Sequence, residues 1–337
     1  MGSQSQSRIP VIDLSNEELK PGTKTWVSTC KEIRHALEEF GCFEAIYSKV
    51  SMELHNQVFE TTKELFDLPT ETKMKNKSSK PYFHYLGQYS NLPLYESLGI
   101  DNPTTLDSTQ SFTNLMWSSG NDRFCENALS YSDLVGKLDK WVIRMLFESY
   151  GVGRCYESYT ESVHYLLRCV KYRAPDMNET TTGLTPHTDK TMISIIHQNH
   201  INGLQIKTRD SEWIEFEPSA PSSFVVMAGD ALMAWSNDRI LPCYHQVIMS
   251  HSTETRYSLA MFSFSSGIVE IPQELGDDKN PLKYKPFDHF EFLHFLQSLA
   301  GKRHQSLLLH LWHLRLHIIL APSKPTAASE TPYYTRS

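Results

Sequence analysis

Two histidines and an aspartate, His187-Thr188-Asp189 and then His245, are followed by Arg256-Tyr257-Ser258, and these are the residues whose types and order could do chemistry. Two imidazoles and one carboxylate are the ligand set of mononuclear non-haem iron(II). They occupy one face of an octahedron and leave three positions for a co-substrate and oxygen. In a strand, side chains two apart share a face, so His187 and Asp189 can reach one metal together. His245 opens the run Gln246-Val247-Ile248-Met249, which reads as a second strand. Arg256 and Ser258 share a face of a third, eleven residues further on and otherwise almost wholly apolar. A guanidinium at the mouth of a core cavity needs an anion, and the far carboxylate of a dicarboxylic keto acid supplies one through a two-point pair. Each piece has a plain alternative. Among 15 histidines one can precede an Asp by chance, a single His is commonly a hydrogen-bonded core residue, and Arg-x-Ser is commonly a surface pair. Order and spacing together carry the case.

The elements that must position these residues fall into two parts. Ile9–Leu14 reads as a short strand, and a helix follows over Thr25–Phe40 with Trp26, Cys30, Ile33, Leu37 and Phe40 on one stripe and Gly41 as its stop. Phe43–Ile46 reads as extended, Met52–Leu68 as helical, and the basic stretch Lys73–Lys80 as exposed. Residues 81–125, rich in Tyr, Ser, Asn and Pro, read as a long irregular connection before a helix over Asp133–Tyr150. From His164 the chain becomes short apolar runs between turn residues: Tyr165–Tyr172, Met192–His197, Gly203–Lys207, Trp213–Phe216, Phe224–Met227, Ala231–Trp235, His245–Ser250 and Tyr257–Phe264. Such spacing predicts an antiparallel sandwich or jelly roll. The fold expected is mainly β with a helical N-terminal half: a helical region over 8–125, a jelly-roll core over 160–268, and an atypical tail over 296–337.

Composition narrows the function classes. The 337 residues carry a net charge of −7, which gives no electrostatic case for nucleic acid or an anionic membrane. Cys30, Cys42, Cys125, Cys155, Cys169 and Cys243 are scattered without a Cys-x-x-Cys pair, and no apolar run opens the chain as a signal peptide would. Leu307–Leu320 is too short to span a bilayer and is broken by His310, His313, Arg315 and His317. A cytoplasmic monomer with reduced thiols and a small-molecule substrate is the expectation.

His187-x-Asp189, His245 and Arg256-x-Ser258 together resemble the plant Fe(II)/2-oxoglutarate-dependent dioxygenases. So do Ile9-Pro-Val-Ile-Asp-Leu14, Gly203-Leu204-Gln205 and Ser223-Phe-Val-Val-Met-Ala-Gly-Asp230, and the similarity runs from Ile9 to Phe295. Lys171–Pro175 and Leu184–Lys190 are most similar to the AOP type, with the auxin-oxidising DAO type close behind. The resemblance implies a double-stranded β-helix core and an enzyme that hydroxylates or desaturates a small plant metabolite or hormone, using Fe(2+), O2 and 2-oxoglutarate and releasing succinate and CO2, with ascorbate in support. It assigns the metal to His187, Asp189 and His245, and the distal carboxylate of 2-oxoglutarate to Arg256 and Ser258. Tyr172, fifteen residues before His187, matches a tyrosine that assists them. Phe262 matches an aromatic of the substrate pocket, though a plain core phenylalanine accounts for it almost as well. Val170 departs from the pattern, since many relatives carry Asn two residues before that tyrosine.

The tail departs further. Relatives close with a helix and a short cap, whereas here a Leu/His-rich run and a Pro/Ser/Thr-rich end follow Phe295. His310, His313 and His317 fall on one helical face, where an odd composition explains them without a second metal. The tail also raises the rival expectation of a jelly-roll protein that only binds metal or a small molecule. A cupin-like sugar isomerase or metal store is disfavoured, because neither needs Arg256-x-Ser258.

Overall fold

The computed structural model describes residues 8–251 and 254–300. Its strands are β1 (Val11–Asp13), β2 (Cys42–Ile46), β3 (Tyr95–Asp101), β4 (Val163–Tyr172), β5 (Thr182–His187), β6 (Ile193–Gln198), β7 (Leu204–Lys207), β8 (Trp213–Glu215), β9 (Ser223–Ala228), β10 (His245–Ile248), β11 (Arg256–Ser265), β12 (Ile268–Val269) and β13 (Phe287–Asp288). The helices are α1 (Lys24–Phe40), α2 (Met52–Asp67), α3 (Thr70–Lys73), α4 (Leu106–Met116), α5 (Asp122–Ser149), α6 (Cys155–Ser162), α7 (Asp230–Trp235) and α8 (His289–Ala300). Seven strands form one sheet in the order β1-β2-β9-β6-β11-β4-β3, and four form a second, β5-β10-β7-β8. Apart from the parallel β1–β2 pair, the strands of both sheets run antiparallel. The two sheets facing each other make the double-stranded β-helix.

The large sheet is covered on both faces. Leu259, Met261, Ile193, Ile195, Phe224 and Val226 point outward into the main core, shared with α1, α2 and α5. The alternate residues Val170, Tyr172, Ile196 and Ala260 point inward and meet Leu204, Ile206 and Val247 of the smaller sheet. Both faces being buried explains why these strands read as apolar runs rather than as alternation. The helical region and the β region share this sheet, because β1, β2 and β3 all precede residue 150.

Several elements differ from the sequence expectation. Ala231–Trp235 is helical, not a strand. Every residue of α7 is buried, so no period marks it, and Gly229 before it packs so close that a Cβ would lie 2.2 Å from Thr191 O. Residues 81–125 hold β3, α4 and the start of α5 rather than an irregular connection. In α4, Thr109 and Thr113 hide the helix behind low propensity, and their hydroxyls donate to the carbonyls of Thr105 (3.0 Å) and Thr109 (2.8 Å). Helix α5 starts at Asp122 instead of Asp133, where the Asn121 side chain accepts from Phe124 N. Lys73 is buried rather than exposed, because its ammonium pairs with Glu96 of β3 at 2.7 Å. Phe40, expected on the buried stripe of α1, is 37% exposed. Helix α8 runs beyond Phe295 to Ala300, with Leu296 in the main core. The rest of the tail, including Leu307–Leu320 and its histidines, lies outside the described residues.

Under the large sheet, Asp139 of α5 is buried and accepts from the phenols of Tyr159 (2.7 Å) and Tyr165 (2.9 Å). Burial pushes its carboxyl up to about 6, against those two donors. A carboxyl whose pKa is higher folded than unfolded contributes stability that is fully present below the unfolded pKa and is lost as the pH rises through the folded one. Asp139→Asn should therefore gain about 2 kcal/mol on the wild type between pH 4 and pH 7, read from denaturant midpoints at the two pH values. Parallel pH dependences of the two proteins would remove Asp139 from this account.

Candidate active site

The smaller sheet brings the two histidines together. His187 is the last residue of β5 and His245 the first of β10, and they are register partners with ring centroids 4.2 Å apart. Asp189 lies two residues past the end of β5, not within a strand as expected. Its loop is held by backbone instead: Asp230 N donates to Asp189 O at 2.8 Å. Lys190 spans the same loop, donating to Thr188 O (3.0 Å) and Thr188 Oγ1 (2.9 Å) and pairing with the buried Asp230 carboxylate. His289, the first residue of α8, accepts from Ser265 N at Nδ1, so its Nε2–H is free to donate to Lys190 O, 2.7 Å away.

The result is a preset ligand cluster. The Nε2 atoms of His187 and His245 lie 3.5 and 4.0 Å from the Asp189 carboxylate, and one ligand atom from each of the three residues falls within 4.8 Å of the others. Each imidazole is oriented by a backbone carbonyl, which can only accept. His187 Nδ1 is 2.9 Å from Thr185 O, and His245 Nδ1 is 3.0 Å from Cys243 O. Both Nδ1 atoms therefore carry the proton, and both Nε2 lone pairs face the carboxylate. Burial, then the neighbouring His187, lowers His245 to about 4, so it is neutral as a metal requires. Burial pushes Asp189 up, but His245 and His187 together with the Ser194 hydroxyl hold it well below the usual carboxylate range. Its Oδ2 is buried without a hydrogen-bond partner, and a cation would supply the missing one. The residues fit a divalent metal of borderline character, with His187 the more exposed ligand.

Across the interior, the large sheet presents Arg256, Ser258 and Phe262 on one face of β11, with Tyr172 opposite Arg256 on β4. Arg256 is 1% exposed and has no carboxylate partner among the described residues. It donates to Ser258 Oγ (3.3 Å) and Gln198 Oε1 (2.8 Å), lies over the Tyr172 ring at 5.3 Å, and leaves Nε unpartnered. Such a cation, buried among neutral groups, is a site for an anion. Gly203 makes room beside it. Its φ is 144°, and a Cβ there would sit 2.7 Å from Ile248 O and 3.5 Å from Arg256 Cδ. Val170 has Ser97 of β3 opposite it, hydrogen-bonded to Tyr95 Oη at 2.7 Å, so hydroxyls stand beside the position where relatives carry Asn. Phe262 is half-buried and packs against both the interior cluster and a small cluster with Phe83, Leu166 and Phe264. Gln198 escaped the sequence reading, and only the register partner Ser258 betrays it.

Residues 163–265 match the 2OG-Fe(II) oxygenase superfamily, and residues 9–113 match the N-terminal region described for the non-haem dioxygenase in morphine synthesis. An Arabidopsis thaliana protein named probable 2-oxoglutarate-dependent dioxygenase AOP1.2 is 42% identical over 89% of this chain and 94% of its own length. The 2-oxoglutarate complex of the dioxygenase for auxin oxidation 1, also from Arabidopsis thaliana, superposes with a TM-score of 0.73 at 25% identity, over 81% of this chain and 100% of that one. A complex of JOX2 with 2OG, Fe and JA gives 0.70 at 25% identity, over 85% and 84%.

The chain belongs to the 2-oxoglutarate–Fe(II) oxygenase superfamily. It is a 2-oxoglutarate-dependent dioxygenase, an oxidoreductase of the AOP/DAO-like plant group that works with Fe(2+), 2-oxoglutarate and O2 and hydroxylates or desaturates a small molecule. The rival reading of a jelly-roll protein that only binds is not supported. No described helix is long and apolar enough to cross a membrane.

Proposed function

We propose that His187, Asp189 and His245 hold the iron, that Arg256 and Ser258 hold the far carboxylate of 2-oxoglutarate, and that Phe262 lines the substrate side. The observation that carries this reading is the pairing of two unmet needs across one interior: an orphaned carboxylate oxygen between two Nε2 lone pairs, and a buried guanidinium with no counter-charge. Bound Fe(II), with 2-oxoglutarate and O2, supplies the oxidative decarboxylation to succinate and CO2 and the oxidant that removes hydrogen from the substrate. The chain supplies position. Thr185 O and Cys243 O fix the imidazole tautomers, and the Lys190–Asp230 pair and His289 hold the loop that carries Asp189. Tyr172 packs its ring against the Arg256 guanidinium and keeps water from it.

The substrate is a small plant metabolite or hormone, in keeping with solved relatives described for auxin oxidation and in complex with JA. The protein works as a cytoplasmic monomer in plant specialised metabolism, a setting that suits its six unpaired cysteines. Succinate release, screened across plant hormones and specialised metabolites, tests the reading. A substrate should raise Fe(II)-dependent release above the substrate-free rate, and release that ignores Fe(II) would refute it.

A further inference from the structure

Helix α8 begins beside the loop that carries Asp189. Asp288 caps it, accepting from Glu291 N at 2.9 Å. Its buried stripe runs His289, Phe292, Leu293 and Leu296, at helical spacing. Phe292 and Leu296 enter the main core. Leu293 and Phe290 instead join Phe83, Leu166 and Phe264, the small cluster against which Phe262 packs. The helix is thus a wall of the substrate side proposed above.

His289 is fully buried, and both its ring nitrogens are used. Nδ1 accepts from Ser265 N at 3.1 Å, and Nε2 donates to Lys190 O, 2.7 Å away. Burial lowers the ring to about 4, so it stays neutral in this tautomer. The two partners are neighbours because β6 runs antiparallel to β11. Met192 N donates to Ser263 O at 2.9 Å, and that register carried two residues back brings Lys190 beside Ser265 and Ser266.

The plain reading is a satisfied core histidine. Its ring does pack on Phe264 and Phe287, with centroids 5.2 and 6.2 Å away. Two features ask for more. The first is where the donor goes. The carbonyls on either side of Lys190 O are held by α7: Asp230 N donates to Asp189 O at 2.8 Å, and Ala231 N to Thr191 O at 3.2 Å. The carbonyl between them is held by α8, through a side chain 99 residues away in sequence. The second is what the same turn of helix touches. Phe290 lies against Phe83 and Phe264, with centroids 6.0 and 5.9 Å away, so one turn meets both the metal-ligand loop and the wall of the interior.

A helix held along one face opens locally at less cost than the whole fold. When α8 lifts, Lys190 O loses its donor, the Asp189 loop loosens and metal affinity falls. Linkage returns the same factor in the other direction, so a metal on His187, Asp189 and His245 holds α8 down. We propose that His289 is a positioning residue that couples the seating of α8 to the metal, so that metal binding closes one wall of the substrate side. The inference rests on the ligand roles proposed above and goes beyond them, since those roles alone ask nothing of α8.

The test is amide hydrogen exchange of the full chain under anaerobic conditions, with and without saturating Fe(II), beside calorimetric Fe(II) affinities. In the wild type, Fe(II) should slow exchange across residues 289–300 by about tenfold, the low end of what groups beyond the ligands do for a metal. Two variants separate coupling from packing, because Gln places an amide nitrogen near the Nε2 position and Asn an oxygen near the Nδ1 position. His289→Gln should keep the donor to Lys190 O, hold Fe(II) within about threefold of the wild type and retain the protection of α8. His289→Asn should satisfy Ser265 N but not Lys190 O, weaken Fe(II) by about tenfold and erase that protection. The wild-type comparison needs no variant, so it decides even where a substitution unfolds the helix. The inference is overturned if Fe(II) protects β5 and β10 but leaves α8 unchanged, or if the Gln and Asn variants bind Fe(II) equally well. Fe(II) that protects neither β5 nor β10 in the wild type would instead refute the ligand roles on which it rests.

Discussion

Asp189→Ala should lower Fe(II)-dependent succinate formation by more than about 100-fold, beyond what loss of a group merely orienting a ligand does, and should leave the metal-free chain melting close to the wild type. The activity falls because one of three ligand groups within 4.8 Å is gone, and two neutral imidazoles hold a divalent ion weakly. The fold survives because the loop at residue 189 is held by backbone: Asp230 N still finds the carbonyl of residue 189. One carboxylate oxygen has no partner, and the buried Ser194 hydroxyl beside the other groups of this loop keeps Thr191 Oγ1, 2.9 Å away, when the carboxylate is deleted. Melting with and without Fe(II) separates the two effects. The wild type should gain about 2.7 kcal/mol at a hundredfold excess of metal over its Kd, and the variant should gain almost nothing. A variant that forms succinate at the wild-type rate would remove Asp189 from the metal site.

Arg256→Lys should raise the KM for 2-oxoglutarate by about 30-fold, the effect of losing a hydrogen bond to a buried charged group, with Fe(II) affinity within twofold. Lysine keeps the charge but not the planar fork, and it cannot address Ser258 Oγ, Gln198 Oε1 and a carboxylate together. Arg256→Met gives the complementary result. It removes a cation that has only neutral partners, so the metal-free protein should melt no lower than the wild type while 2-oxoglutarate binding is lost. Unchanged co-substrate affinity in the Lys variant would place Arg256 outside the site.

The grouping of His187, Asp189 and His245 was legible because the chemistry expected of it needs particular residue types in a particular order, and short strands bring distant positions into register. His187 and Asp189 do not share a strand face; the strand stops at His187 and a backbone-held loop delivers the carboxylate. Gln198 escaped notice because its partner is set by pairing across strands, which no local pattern records. The same holds for Lys73, read as solvated until Glu96 of β3 is placed against it. Strand β3 was hidden for a reason tied to function. Its inward residues are Tyr95, Ser97 and Gly99, small or hydroxylated because they face the site and the backbone of Phe83, so the apolar alternation of a strand is missing.

The measurement that bears most directly on the central claim is succinate formed from 2-oxoglutarate by the full chain, with Fe(II) and O2 each supplied or withheld, beside His245→Ala. Release that needs both and disappears in His245→Ala is the result this account predicts. Release that persists without Fe(II), or that His245→Ala leaves intact, would contradict it.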